Sequence, residues 1–298
     1  MSVQAYLLHH LTHIGVSGKN PRQFLQGQFT CDLNEVNAGL TRLGAHCNPQ
    51  GRMLALGRIF QFNERLYLIL PSSICGPSLK ALEPYAKLSR IDFIQTDLQS
   101  IGIMGEKANK RLASVFDLPH KPDECLQHDN FLIIKLPGEN ERFQIIGPSE
   151  NIEQLSHRLQ LNLQNDLSRW LCADIEAGLA FLCPDTMGKF LPHDIHLPQY
   201  NGVSFNKGCY IGQEIIARMH YLAKLKKQLS LVEIISEKEP QAGGKILDLG
   251  QKVQAELICY EKSSASKYIG LAVFSQAPEQ PNYFLENALG TVHSIKGF

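Results

Sequence analysis

Two glycines, Gly208 and Gly212, bracket Cys-Tyr-Ile inside the stretch Asn201-Gly-Val-Ser-Phe-Asn-Lys-Gly-Cys-Tyr-Ile-Gly-Gln-Glu-Ile-Ile-Ala-Arg218. Glycine costs about 1 kcal/mol against alanine inside a helix. The pair therefore predicts a turn with unusual backbone angles, followed by a helix that starts at about Gly212. That geometry puts Cys209 just ahead of a helix N-terminus and two residues from Lys207, and both neighbours favour a thiolate. A second reading stands beside it, in which Cys209 is a small residue filling a tight turn. No His and Asp partners can be assigned to complete a nucleophilic triad, which argues against a cysteine hydrolase.

The other seven cysteines, at 31, 47, 75, 125, 172, 183 and 259, form no Cys-x-x-Cys pair and no regular ligand spacing, so no metal site is expected. Lysine plus arginine and aspartate plus glutamate both number 29. No global field draws such a chain to nucleic acid or to an anionic membrane, and an anionic partner must be met by a local patch. The N-terminus shows no secretory leader, and no run approaches the roughly 20 apolar residues of a membrane helix. A cytoplasmic protein without a membrane partner is expected.

The sequence suggests an α+β chain. Asn20-Pro21 opens a helix carrying Phe24, Leu25 and Phe29. Leu54 to Phe62 and Leu66 to Leu70, separated by Asn63-Glu-Arg65, predict a hairpin. Strands are expected at Ile101 to Met104, Phe131 to Leu136 and Phe143 to Ile146, with helices near Lys107 to Phe116 and Ser149 to Leu161. From Gln228 onward, short strands at Leu229 to Ile235, Val253 to Tyr260 and Tyr268 to Phe274 have the texture of a small barrel, with a domain boundary near 225.

Lys207-Gly-Cys-Tyr-Ile-Gly-Gln-Glu214 resembles the signature of the YgfZ-type folate-binding proteins, relatives of the glycine-cleavage T-protein. Two further blocks agree: Phe24-Leu-Gln-Gly-Gln-Phe-Thr-Cys-Asp32 with His46-Cys-Asn-Pro-Gln-Gly-Arg52, and Ile175-Glu-Ala-Gly178 with Gly188-Lys-Phe-Leu-Pro-His193. The resemblance covers nearly the whole chain. It implies a T-protein-like ring of two α+β modules, 1–97 with 165–225 and 98–164, plus a C-terminal β-barrel over 226–298, around a central folate site. By that analogy Glu176 is the pterin contact, since a carboxylate can accept two adjacent N–H groups side by side. Lys207, Tyr210, Gln213 and Arg218 are carried with it as candidate folate contacts, for tetrahydrofolate or a derivative.

Arg218, His220, Lys224, Lys226 and Lys227 form a basic cluster that meets the folate tail, meets an RNA backbone, or is a solvated face. Phe181, Phe205 and Tyr210 either stack on a flat ligand or are core. His193 and His196 are read as capping or packing groups. The T-protein resemblance implies an acidic residue near Gly51-Arg-Met-Leu-Ala-Leu-Gly57, which has none, and nothing places Asp32 in a pocket. The resulting expectation is a folate-binding protein without aminomethyl transfer. It supports assembly or repair of iron–sulfur clusters, including those of tRNA-modifying enzymes, with the Cys209 thiol looking into the pterin cavity. A folate-dependent aminomethyltransferase and a tRNA-binding module are the alternatives.

Overall fold

The computed structural model describes residues 3–222, 227–278, 282–286 and 290–298. In chain order the first elements are β1 (Gln4–Leu7), β2 (Leu11–Gly18), α1 (Pro21–Gln28), β3 (Arg42–Cys47), β4 (Met53–Phe62), β5 (Arg65–Pro71), α2 (Ser72–Ser89) and β6 (Ile91–Gln95). Asn20 caps α1, its side-chain oxygen accepting from the Gln23 amide at 3.4 Å, and Pro21 occupies the first turn, as the sequence suggests. The β4–β5 hairpin is present, and its turn residues Asn63 and Glu64 have φ of 47° and 62°. Two consecutive left-handed residues give a turn whose twist matches the flanking strands.

β2 to β6 form an antiparallel sheet in the order β3-β4-β5-β2-β6. The 18-residue α2 has no counterpart in the sequence reading, because Pro77 and Pro84 lie inside it and proline argues against a helix interior. Packing decides otherwise. Ile74, Ser78, Leu82 and Ala86, at i+4 spacing, share one buried face.

The second run comprises β7 (Leu98–Met104), α3 (Ala108–Leu112), β8 (Cys125–His128), β9 (Phe131–Lys135), β10 (Arg142–Pro148), α4 (Ser149–Arg158), β11 (Leu163–Gln164) and α5 (Ser168–Glu176). The helix expected near Lys107 to Phe116 is confined to the five residues of α3, and Ile152 and Leu155 of α4 are buried as its periodicity predicts. The sheet runs β11-β1-β7-β10-β9-β8, so the first strand of the chain pairs here, antiparallel to β7 and parallel to β11.

The two sheets face one another across a shared core. Strand alternation sorts the side chains: Leu132 and Ile134 of β9 point to that core with Phe60, Phe62, Tyr67 and Ile69, whereas Ile133 points to the opposite layer under α4. Trp170 of α5 lies in the same core. An added Cβ on Gly102 of β7 would fall 2.5 Å from its ring, so only glycine lets the sheet approach the indole.

Beyond α5 come two short 3-10 turns, Pro192–Ile195 and Leu197–Tyr200, and then α6 (Gln213–Leu222). The last part is a closed barrel of β12 (Gln228–Ser236), β13 (Lys245–Leu247), β14 (Val253–Ser264), β15 (Lys267–Phe274), β16 (Tyr283–Leu285) and β17 (Gly290–Gly297). The expected barrel is thus observed, while the boundary placed near 225 lies outside the described residues. Among the described residues no helix is long and apolar enough to cross a membrane.

Two outcomes follow from the core. Gly102→Ala should lower stability by about 1–3 kcal/mol through overpacking, seen as a lower urea midpoint with an unchanged slope. His13 and His46 are buried, and desolvation pulls each down to about 4. An imidazole near 6.5 in the unfolded chain takes up its proton before the folded one does. Their contribution is therefore complete above pH 6.5 and is lost as the pH falls toward 4. Urea titrations between pH 7 and 5 should show stability declining with acidification, less steeply in His13→Gln.

Candidate functional site

A cavity of about 330 Å³ opens between the two sheets and α5. Its walls are chiefly apolar, with Leu8, Leu56, Leu136, Trp170 and Phe181 among them. Arg58, Gln144 and Asp174 stand among its polar lining residues, with His10, Ser72, Ser73 and Cys183 elsewhere on the wall. Alternation explains the first two. Arg58 has the parity of Phe60 on β4, and Gln144 stands between Phe143 and Ile145, which point the other way.

Arg58, Gln144 and Asp174 are each held from behind, whereas His10 Nδ1 is buried without a partner among the described residues. Arg58 Nη1 donates to Thr41 Oγ1 at 2.8 Å and to the Asp123 carboxylate, which ties β4 to the loop before β8. Gln144 Nε2 and His13 Nε2 both meet Ser100 Oγ, at 2.9 and 2.7 Å. Asp174 Oδ1 accepts from Arg142 Nη1 at 2.7 Å, and Arg142 Nη2 donates to the Pro137 carbonyl at 2.7 Å. Burial pushes the Asp174 carboxyl up, and the Arg142 guanidinium opposes it.

The carboxylate in the cavity is therefore Asp174, not Glu176. Two residues along a helix turn the side chain by about 200°. Glu176 accordingly points away, exposed, at a separate hollow of about 240 Å³ shared with Gly138, Arg142 and Lys296. The sequence reading passed over Asp174 because the family resemblance drew attention to Glu176. The signal that could have found it is the i, i+4 pairing of Trp170 with Asp174 on one helix face. Of the three aromatic candidates, Phe181 lines the cavity, Tyr210 is buried in the core and Phe205 packs against it.

The signature loop is built differently from the expectation. Lys207 does not turn toward Cys209. Its ammonium donates to three carbonyls, those of Gln26 at 2.6 Å, Phe29 at 2.5 Å and Cys31 at 2.8 Å, at the open C-terminal end of α1. The Gln26 and Phe29 carbonyls lie in the last turn and cap of α1, where helix carbonyls lack intrahelical donors, and the Cys31 carbonyl lies just beyond. Burial pulls the lysine down to about 8, so it is still a cation at neutral pH.

Gly212, with φ of 82°, rests on the β3–β4 turn, where an added Cβ would fall 2.7 Å from the Asn48 carbonyl oxygen. Gly51 of that turn, φ 74°, faces Ile215 in return. Gln213 Oε1 accepts from the Tyr210 amide at 3.3 Å, across the start of α6. The signature, the Phe24–Asp32 stretch and the His46–Arg52 stretch thus close on one another.

Cys209 rides on the outside of this clamp. It is exposed, and no residue from 201 to 212 lines the cavity, so the thiol does not look into it. Asp32 also lies outside the cavity lining, accepting from Gln26 Nε2 at 2.8 Å and the Asn34 amide at 2.9 Å.

The basic cluster is divided. Arg218 and His220 are exposed on α6, whereas Lys227 donates to Asp194 at 3.0 Å. Lys224 and Lys226 lie outside the described residues. His193 is buried, its pKa lowered chiefly by desolvation and further by His220, and His196 is partly buried beside it in sequence.

Lys207→Met should cost about 1–3 kcal/mol, because it leaves buried carbonyls without a donor. Hydrogen exchange should quicken in 26–31 and 205–213 while the cavity segments β4 and β10 keep their protection.

No family model matches the chain. A protein named tRNA-modifying protein YgfZ from Yersinia pseudotuberculosis is 33% identical over 233 residues, covering 77% of this chain and 71% of that one. The protein of the same name from Colwellia psychrerythraea is 31% identical over 218 residues, covering 72% and 67%. An uncharacterized protein of Haemophilus influenzae is 33% identical over 235 residues, covering 78% and 74%. Among solved structures, glycine cleavage system aminomethyltransferase T from Bartonella henselae superposes with a TM-score of 0.75 at 15% identity, over 98% of this chain and 84% of that one. The architecture is that of the aminomethyltransferase T fold, and on the likeness of its sequence the chain belongs to the YgfZ family.

Proposed function

We propose that this protein binds a reduced folate in the cavity beside α5 and serves, without catalysing aminomethyl transfer, in the upkeep of iron–sulfur enzymes that modify tRNA. The observation that carries the reading is the 330 Å³ apolar cavity with Trp170 on one side and the Asp174 carboxylate within it. Its volume lies at the lower end of the roughly 300–1,000 Å³ typical of small-molecule sites, which suits a bicyclic head better than an entire folate. An apolar cavity takes the body of a pterin ring, and a carboxylate accepts adjacent N–H groups along its edge. Asp174 is the candidate for that contact, in place of Glu176. Arg58 and Gln144 are the further polar groups able to fix the ring's orientation.

Aminomethyl transfer needs a titratable group free to exchange a proton with the reacting nitrogen. The stretch from Gly51 to Gly57 supplies Leu56 and Gly57 to the cavity wall, Asp174 is already bonded to Arg142, and burial pulls the His10 imidazole on the wall down to about 4. Cys209 is assigned to a step outside the cavity, on the face that a client protein reaches. The protein works in the cytoplasm on this reading. The name carried by its relatives, tRNA-modifying protein YgfZ, supports the connection to tRNA.

Trp170 is the chain's one tryptophan, so tetrahydrofolate should quench the intrinsic indole fluorescence saturably. Asp174→Asn, checked for folding by circular dichroism, should weaken binding by about 1–3 kcal/mol, and Glu176→Gln should leave it unchanged. Absence of quenching, or equal affinity in Asp174→Asn, removes the pterin assignment. Turnover in the glycine-cleavage partial reaction at T-protein rates would overturn the non-catalytic reading. Cys209→Ala should keep fold and folate affinity yet fail to restore iron–sulfur enzyme activity in cells lacking the protein.

A further inference from the structure

Away from the cavity, α6 and the signature loop build a small aromatic assembly. The rings of Phe205 and His220 stack at a centroid distance of 3.8 Å and an angle of 15°. Tyr221 stands across them, 4.9 Å from His220 at 80° and 5.9 Å from Phe205 at 69°. Two perpendicular contacts fix the Tyr221 ring, yet it is 65% exposed. Rigid support and open surface seldom coincide for a side chain whose role is packing.

Below the stack lies His193, 5% exposed, with its ring 6.1 Å from Phe205 and 6.0 Å from His220. Neither of its ring nitrogens has a hydrogen-bond partner among the described residues. A buried imidazole without a partner is costly; here its ring backs the Phe205–His220 stack from within the protein.

Charge completes the pattern. Arg218 precedes Tyr221 by three residues, so both side chains share one face of α6. Arg218 is exposed and makes no ion pair or hydrogen bond among the described residues. The chain as a whole is neutral, so this guanidinium acts locally. Among the described residues of α6, His220 and Arg218 are exposed beside Tyr221. One exposed ring offers far too little apolar area for a stable protein interface of roughly 800 Å² per partner, but it is the size of a nucleobase.

We infer that Tyr221, backed by the Phe205–His220 stack and flanked by Arg218, is a stacking platform for an unpaired nucleotide of a single-stranded nucleic acid. The base lies on the open face of Tyr221, and Arg218 meets the adjoining phosphate. Base–aromatic stacking tolerates any base, so the platform holds an exposed strand rather than reading its sequence. The inference is independent of the pterin cavity, whose lining includes none of these residues.

The test is fluorescence anisotropy with the full chain and a fluorescein-labelled 12-nucleotide single-stranded RNA, the DNA of the same sequence, and an RNA duplex, each at 50 to 200 mM salt. Tyr221→Ala should weaken single-strand binding roughly 5- to 150-fold, while Tyr221→Trp retains it. Arg218→Gln should lower the slope of log affinity against log salt by about one. Tighter binding of RNA than DNA assigns the strand to RNA, and the reverse assigns it to DNA. The proposal is overturned if no single strand binds at 50 mM salt, if the duplex binds as tightly, or if Tyr221→Ala binds like the parent while circular dichroism shows both folded.

Discussion

Arg142 and Asp174 hold the molecule's centre together. Arg142 is 1% exposed and comes from β10; Asp174 comes from α5, the helix that lies between the facing sheets and the barrel. Taking both charges out of water is costly, and the pair is tolerated because its geometry is good and the guanidinium also reaches the Pro137 carbonyl. Removing either partner would strand the other. The same bond fixes which face of α5 looks into the cavity, and with it the positions of Trp170 and of the single carboxylate in the cavity wall.

The signature loop obeys a different constraint. A helix end leaves carbonyls without partners, and at α1 three carbonyls of the terminal turn and the residues beyond it are gathered by one lysine from 176 to 181 residues further along the chain. Gly212 and Gly51 then meet at a distance that excludes side chains. This is why Lys207, the Phe24–Asp32 block and the His46–Arg52 block go together: they are three surfaces of one joint. The thiol of Cys209 is displayed by that joint and faces solvent. Cavity and thiol are thus separate features, and the functional reading assigns them separate tasks, small-molecule binding inside and partner chemistry outside.

Much of the architecture was legible along the chain. The Asn20 cap, the β4–β5 hairpin and the barrel strands follow from capping, alternation and turn residues, all of which act over a few positions. α2 was not legible, since Pro77 and Pro84 weigh against a helix locally and only burial of Ile74, Leu82 and Ala86 outweighs them. Nor was the pairing of β1 with β7 and β11, which depends on contacts about a hundred residues and more apart.

In the candidate site the same division holds. The sequence alone determined that a glycine with special backbone angles, Gly212, would open α6 just after Cys209, although Gly208 takes no such angle, because backbone freedom and helix propensity are properties of neighbouring residues. It also determined that the Gly51–Gly57 stretch carries no acid. Only the tertiary structure decided that Asp174 and not Glu176 enters the cavity, that Lys207 serves α1 rather than the thiol, and that Phe205, His220 and Tyr221 share one assembly. Those outcomes turn on which face of a helix is covered and on which distant carbonyls lack donors, and neither is written in the order of residues along the chain.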